Sequence, residues 1–290
     1  MPAQIIISGV AMGCIYALVA IGFVMIYKST EIVNFAHGDL MMLGAFVGYS
    51  LIEVAALNYW VGLAITAVVM FGVGWVMDAA ILRRVIGMPQ FAVIMLTVGI
   101  GFVLRTLVSI TPGWGVETKT IASPFSGEVV GIGGVNIGAE NLSIIVCTLL
   151  MCALLTLFFS RTRLGTVTKA ASQNQIAAYT LGVPVASIYS LVVGIGTALA
   201  GIAGVLVAPI LFIEPNMGFS VMVAYATAIL GGLGSLPGAV LGGIVIGVVE
   251  QLAGYYGNES IKHVAPYVLL LAVLALRPEG LAGVRVAKKV

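Results

Sequence analysis

The stretch QIIISGVAMGCIYALVAIGFVMIY, residues 4–27, holds twenty-four residues and no charge. A helix rises about 1.5 Å per residue and the hydrocarbon core of a bilayer is about 30 Å thick, so roughly twenty apolar residues cross it. The run therefore reads as a membrane-spanning helix. No basic stretch precedes it, and it is longer than the apolar part of a cleaved leader, so it is expected to be retained.

Further runs of this kind lie at residues 34–56, 60–82, 89–110, 142–160 and 185–213, with a short one at 261–276. Residues 219–255 are too many for one crossing. They are interrupted by Gly231-Gly232-Leu233-Gly234-Ser235-Leu236-Pro237-Gly238, which no straight helix would choose. Two helices or half-helices joined by a tight turn are expected there. The composition agrees: 61% of the residues are hydrophobic and 8% charged, with a mean hydropathy of +1.17. Soluble domains carry roughly 25% charged residues, and a charge at the bilayer centre costs at least about 2.5–3.5 kcal/mol. The expectation is an all-α integral membrane protein, a single transmembrane domain over residues 1–290, with about eight or nine membrane segments.

Basic residues favour the cytoplasmic side of a membrane. With alternating crossings, Lys28, Arg83, Arg84, Arg161, Arg163, Lys169, Arg277, Arg285, Lys288 and Lys289 share one side. Only Lys119 and Lys262 fall opposite, among Glu117, Glu128, Glu140, Glu214 and Glu259. This predicts an external N-terminus and a cytoplasmic C-terminus. Two loops are long enough to carry function: an external one over 111–141, with a small hairpin suggested around Val129 to Ile137, and a cytoplasmic one over 161–184. No appended soluble domain is expected.

Within the second loop, Ala170 to Leu181 favours helix, Gly182 sits where a helix C-cap belongs and Pro184 ends the run. The small pair Ala177-Ala178, flanked by Ile176 and Tyr179-Thr180, offers a shallow face. That face suits either a docking partner or a helix lying among lipid headgroups.

This loop resembles the coupling helix of permeases in the bacterial branched-chain amino acid ABC importers. Three other stretches are similar to that family in the same order: the opening helix from Gly9 to Tyr27, Glu31-Ile-Val-Asn34-Phe35-Ala36-His37-Gly38-Asp39, and the glycine-rich run from Gly231 to Gly243. The resemblance implies that Arg161, Gly165, Lys169, Asn174, Ala177, Ala178 and Gly182 couple the chain to an ATPase. Lys169 stands where the family usually has Arg, and Asn174 where it often has an acid, which puts ion-pair roles there in doubt.

It further implies a second, related but non-identical permease, two cytoplasmic ATPase subunits and an extracytoplasmic solute-binding protein. Membrane lipid is the remaining partner, and no nucleic acid is expected. The location implied is the bacterial inner membrane. The chain has no Gly-x-x-x-x-Gly-Lys-Ser/Thr phosphate loop, so ATP would be used by the partner subunits. No cofactor or metal is expected on this chain.

Asn34, His37, Gly38 and Asp39 are expected near the cytoplasmic surface. Asn34 would cap the second span and Asp39 would sit at its positive end; the resemblance favours a gate-forming polar cluster. Gly231, Gly232, Gly234 and Pro237 are the other pathway candidates, as a break inside the membrane or as a plain cytoplasmic hairpin. Glu53, Arg105 and Glu250 are expected near external helix ends, and Asp78 near an internal end beside Arg83. With no ionisable group at mid-depth, a proton-coupled carrier is disfavoured. Repeated small residues such as Gly9–Gly13 and Gly243–Gly247 point to close helix packing. Cys14, Cys147 and Cys152 lack metal or disulfide spacing, and His37 lacks catalytic company, so an enzyme is not expected. The expected function is import of branched-chain or other small aliphatic amino acids. The alternative is a stand-alone channel or secondary transporter for small neutral solutes such as urea or short amides.

Overall fold

The computed structural model describes residues 2–132, 135–173 and 175–282; Arg285, Lys288 and Lys289 lie outside them. The chain is a mostly helical bundle. Its elements are α1 (Pro2–Thr30), α2 (His37–Tyr49, prolonged by a π-helical turn Ser50–Val54), α3 (Tyr59–Ala80) and α4 (Gln90–Ile110). A β1 (Val129–Ile132) and β2 (Val135–Gly138) hairpin follows, then α5 (Ala139–Arg161), α6 (Arg163–Gln173), α7 (Gln175–Thr180) and α8 (Val185–Val207). The last elements are α9 (Met217–Ser220), α10 (Met222–Gly231), α11 (Leu236–Tyr256) and α12 (Glu259–Leu276). Among the described residues, seven helices are long and apolar enough to cross a membrane: those that begin as α1, α3, α4, α5, α8, α11 and α12.

Burial separates centre from rim. The apolar window of α1 is 94% buried and that of α8 83%, against 22% for α4, 17% for α5 and 6% for α12. So α1 and α8 form the core, and the others turn apolar faces outward, as lipid requires.

Glycines set how closely the core helices approach. A Cβ added at Gly13 would stand 2.5 Å from the Gly243 carbonyl oxygen and 2.8 Å from Cα of Ile244. Gly9 likewise faces Val248 of α11. Helices in apolar surroundings associate through such close van der Waals packing. The α1–α11 seam has a counterpart in α3–α8, where Gly74 meets Thr197 and Gly201 meets Met70. The pairing is reciprocal: α1 and α3 of the N-terminal half lie on α11 and α8 of the C-terminal half.

The basic loops gather at one end of the bundle. Lys28 Nζ donates to the Gly234 carbonyl at 3.2 Å, Arg83 Nη2 donates to the Ala186 carbonyl at 3.1 Å, and Leu281 N donates to Leu230 O at 2.7 Å. At the other end the hairpin, paired in register Val130 to Ile137, is fastened to α1 by Gln4, whose Nε2 donates to Asn136 O at 2.8 Å. The hairpin expected around Val129 to Ile137 is there. Lys119 and Ile213 bridge antiparallel at this end, with N···O distances of 2.9 and 2.8 Å.

Candidate functional site

After α1 ends, the chain does not start its next helix at the basic end. Residues 31–36 run back into the bundle as irregular backbone, and α2 begins at His37. His37 Nε2 lies 3.2 Å from the carbonyl oxygen of Val19, eleven residues up α1 from Thr30, or about 16 Å by helix rise. A carbonyl only accepts, so the proton sits on Nε2. Backbone away from helix and sheet at this depth needs partners inside the protein, and Tyr225 of α10 supplies them. Its hydroxyl lies 3.2 Å from Asn34 O and 3.0 Å from Phe35 O as acceptors, and takes the Gly38 N–H at 3.3 Å. Thr97 Oγ1 accepts from Phe35 N at 3.2 Å.

The second half repeats the device from the opposite end. Residues 208–216 leave α8 without helix, and α9 opens against α2: a Cβ on Gly38 would meet the Gly218 carbonyl oxygen at 2.6 Å. Two helical starts therefore face each other deep in the bundle. Asp39 sits between them in the first turn of α2. Its carboxylate receives a fork from Arg105 of α4, Nε to Oδ1 at 2.6 Å and Nη2 to Oδ2 at 3.3 Å. The side chains are 4% and 18% exposed. The guanidinium carbon stands 3.7 Å from the centroid of the Phe219 ring, a cation–π contact that shields the pair further.

These positions correct several expectations. Asn34, His37 and Asp39 are at mid-depth, fully or nearly buried, and not near the surface. Irregular chain climbs farther per residue than helix does, so the composition of 34–56 concealed where the helix starts. Ala36, not Asn34, holds the N-cap position, and Asn34 Oδ1 instead accepts from Ala36 N at 3.1 Å. An ionisable pair does exist deep in the bundle, because Arg105 reaches inward to Asp39 and not outward to a helix end. Asp78 behaves as expected, 3.5 Å from Arg83 and accepting from Ser190 at 2.7 Å. Glu53 pairs with backbone, accepting from Ala122 N at 2.7 Å. Glu250 has no ion pair among the described residues.

The Gly231 to Gly238 turn is an end-of-bundle hairpin. Gly232 takes φ 100°, a conformation that favours glycine, and Ser235 Oγ caps α11 by accepting from Gly238 N at 3.1 Å. Gly234 accepts from Lys28, as above. The helix interruption deep in the bundle lies upstream, before α10.

In the 161–184 segment, where a helix is expected from Ala170 to Leu181, helix is present over Arg163–Gln173 and Gln175–Thr180; Asn174, between them, lies outside the described residues. Gly182 ends α7 as expected. Its φ is 79°, with Val183 N donating to Ala178 O and Gly182 N to Tyr179 O, both at 3.0 Å, which is a Schellman motif. The Ala177-Ala178 pair is not one shallow face. Ala178 is buried in a small cluster with Ala171 and Ile188 of α8, while Tyr179 and Leu181 are exposed. Gly165 is buried where a Cβ would lie 2.6 Å from Cα of Phe159; its N–H donates to Thr162 Oγ1 at 3.0 Å. Arg161 closes α5. Lys169 and Pro237 line one largely apolar cavity of about 610 Å³ together with Lys28, so the loop and the glycine turn meet at the basic end. Among the described residues no group of His, Cys, Asp or Glu gathers as metal ligands would.

Tyr225 was not legible as a site residue. The only signal was a tyrosine hydroxyl in α10, whose other hydroxyl, on Thr227, bonds back to its own helix; composition cannot connect Tyr225 to residues 34–38.

The sequence model of the family described as "Branched-chain amino acid transport system / permease component" matches residues 5–274. The chain belongs to this permease family. It is a multi-pass membrane protein of the transport class. The permease is 31% identical over 296 residues to the "High-affinity branched-chain amino acid transport system permease protein LivH" of Escherichia coli, covering 97% of this chain and 95% of that one. It is also 31% identical over 294 residues to the protein BraD of Pseudomonas aeruginosa, of the same description, with the same coverage. A probable LivH of Methanocaldococcus jannaschii is 26% identical over 283 residues, covering 92% and 88%. Among solved structures, "PsaBC from Streptococcus pneumoniae in complex with Fab" shares the fold at a TM-score of 0.51 and 12% identity, covering 96% of this permease and 92% of that chain.

Proposed function

We propose that this permease is the membrane subunit of an ATP-driven importer that carries branched-chain or other small aliphatic amino acids across the bacterial inner membrane. The observation that carries the reading is the likeness to permeases of that name along nearly the whole chain. The geometry supports it. Two interrupted crossings, 31–54 and 208–231, join the seven uninterrupted helices to give nine crossings, with the N-terminus outside and the basic end in the cytoplasm. Both helical starts point into the interior, so a small movement of either half changes the packing around Asp39 and Arg105. That is the kind of bistable element alternating access needs.

On this reading the α6–α7 arm is the coupling surface. It lies at the basic end, is backed by α8 through Ala178 and Ile188, and offers Tyr179 and Leu181 to a partner. Arg161, Lys169 and Gly182 position the arm. A second permease, two ATPase subunits and an extracytoplasmic binding protein complete the machine, and ATP is hydrolysed on the ATPases.

The test is purification of the tagged chain from its own membranes in mild detergent, with mass spectrometry of what accompanies it, followed by uptake of labelled leucine into proteoliposomes. Recovery of ATPases and a second permease, with uptake that requires ATP and binding protein, is the expected result. Recovery of the chain alone, moving urea or short amides without ATP, would make it a channel or carrier.

A further inference from the structure

A second cavity, about 610 Å³, opens at the acidic end between α1, α11, α12 and the interrupted segment before α10. Its walls differ in character. Met12, Leu211, Phe219 and Val223 give the cavity apolar lining, and Tyr16, Glu250, Lys262 and His263 polar lining. Glu250 is only 4% exposed, and its Oε2 receives no hydrogen bond from any described residue. Tyr16 lies beside the carboxyl group. A buried carboxylate oxygen left without a donor is costly, and native proteins seldom leave one so. Helix packing alone would favour an uncharged residue there.

The charges around the cavity indicate what would satisfy it. Glu250 stands deep, Glu140 lines the mouth and accepts from Ser126, and Glu259 holds Lys262 at 3.3 Å and His263 at 3.6 Å. Acidic groups outnumber basic ones, so the interior end suits a cation with several N–H donors. Lys262, at the mouth, suits an anion. The apolar lining suits a short hydrocarbon chain.

We infer that this cavity is a binding site of the permease itself for a zwitterionic aliphatic amino acid, with Glu250 receiving the α-ammonium group. The inference rests on the importer reading above and extends it from the whole complex to one site on this chain. Lys262 then faces the carboxylate, and Met12, Leu211 and Val223 hold the side chain. The site ends on Phe219, the ring that stacks on Arg105, so an occupant leans on the interrupted crossing. Specificity would thus be read a second time after delivery, by charge first and by apolar fit second.

The experiment uses the assembled importer in proteoliposomes with a diazirine analogue of leucine as probe. Parent complex, Glu250→Gln and Met12→Trp are compared for photolabelling, ATP-driven leucine uptake and ATP hydrolysis. Expected are labelled peptides from α1 or from residues 208–223 in the parent. Labelling and uptake should fall about tenfold or more in Glu250→Gln, as for loss of a charge-assisted bond, with ATP hydrolysis retained. Met12→Trp, which fills the cavity without touching the carboxylate, should lose labelling too, and this keeps the test decisive if Glu250→Gln does not assemble. Isocaproate, which lacks the ammonium group, should fail to compete. Labelling elsewhere, or unchanged in both variants, overturns the site. A parent complex that shows no ATP-driven leucine uptake overturns the importer reading instead, and the labelling pattern then judges the cavity separately.

Discussion

Asp39 and Arg105 hold each other at 2.6 Å deep inside a bundle whose surroundings are almost wholly apolar. The pair joins the first turn of α2 to the far half of α4, and Phe219 closes over it from the second half of the chain. Three separate segments thus depend on one charge contact. A buried pair contributes little net stability over an apolar replacement, but removing one partner strands the other, at about 3–5 kcal/mol. Asp39→Asn is expected to lower the melting temperature of the detergent-purified protein sharply. Asp39→Asn combined with Arg105→Met should recover most of the loss. Equal destabilisation by single and double variants would show that the two residues act independently.

Tyr225→Phe removes one hydroxyl that serves two carbonyls and an N–H of the first interrupted crossing. Each stranded buried group costs about 1–3 kcal/mol. Faster amide hydrogen exchange in residues 35–38, with little change in α8, is the expected signature.

The α1–α11 seam predicts a contrast among glycines. Gly13→Ala forces backbone apart and should cost about 1–3 kcal/mol. Gly72→Ala and Gly99→Ala have nothing within 4 Å of the new Cβ and should be neutral or stabilising by up to about 1 kcal/mol through helix propensity. Melting curves of the three proteins check both halves of the statement.

Leu181 is 84% exposed on the α6–α7 arm, so Leu181→Asp should leave the fold and melting temperature unchanged. It should nonetheless reduce recovery of ATPase subunits with the tagged permease, by about tenfold if Leu181 anchors the contact. Ala178→Arg should instead destabilise the arm itself, because Ala178 packs on Ile188, and limited proteolysis within 161–184 would report it.

Much of the architecture follows from local chemistry. Charge scarcity places the chain in lipid, Gly182 followed by Pro184 marks the end of α7, and alternating apolar residues mark the hairpin. Depth was another matter. Residues 31–36 are as apolar as a helix start, and the irregular path is made tolerable partly by local side chains, Thr30 and Asn34, and partly by the Tyr225 hydroxyl and the Thr97 side chain, both distant in sequence. Arg105 looked like a helix-end residue because its distance from Ile110 was visible and the direction of its side chain was not. Ala178 turned inward for the same reason: its neighbour Ile188 comes from the next helix. Glu250 could be read as a charge near a helix end, but not as one that has no ion pair among the described residues.

Reciprocal pairing also governs how the protein is made. Asn34 and Phe35 rely on a hydroxyl 191 and 190 residues downstream, and α1 rests on a helix from the final quarter of the chain. These partners are synthesised late, so the carbonyls of Asn34 and Phe35 and the α11 face of α1 lack them until Tyr225 and α11 have left the ribosome. A chain truncated before Tyr225 leaves the Asn34 and Phe35 carbonyls without that hydroxyl, and an unpaired backbone group away from water is costly. Biogenesis of this permease is completed from its C-terminal end.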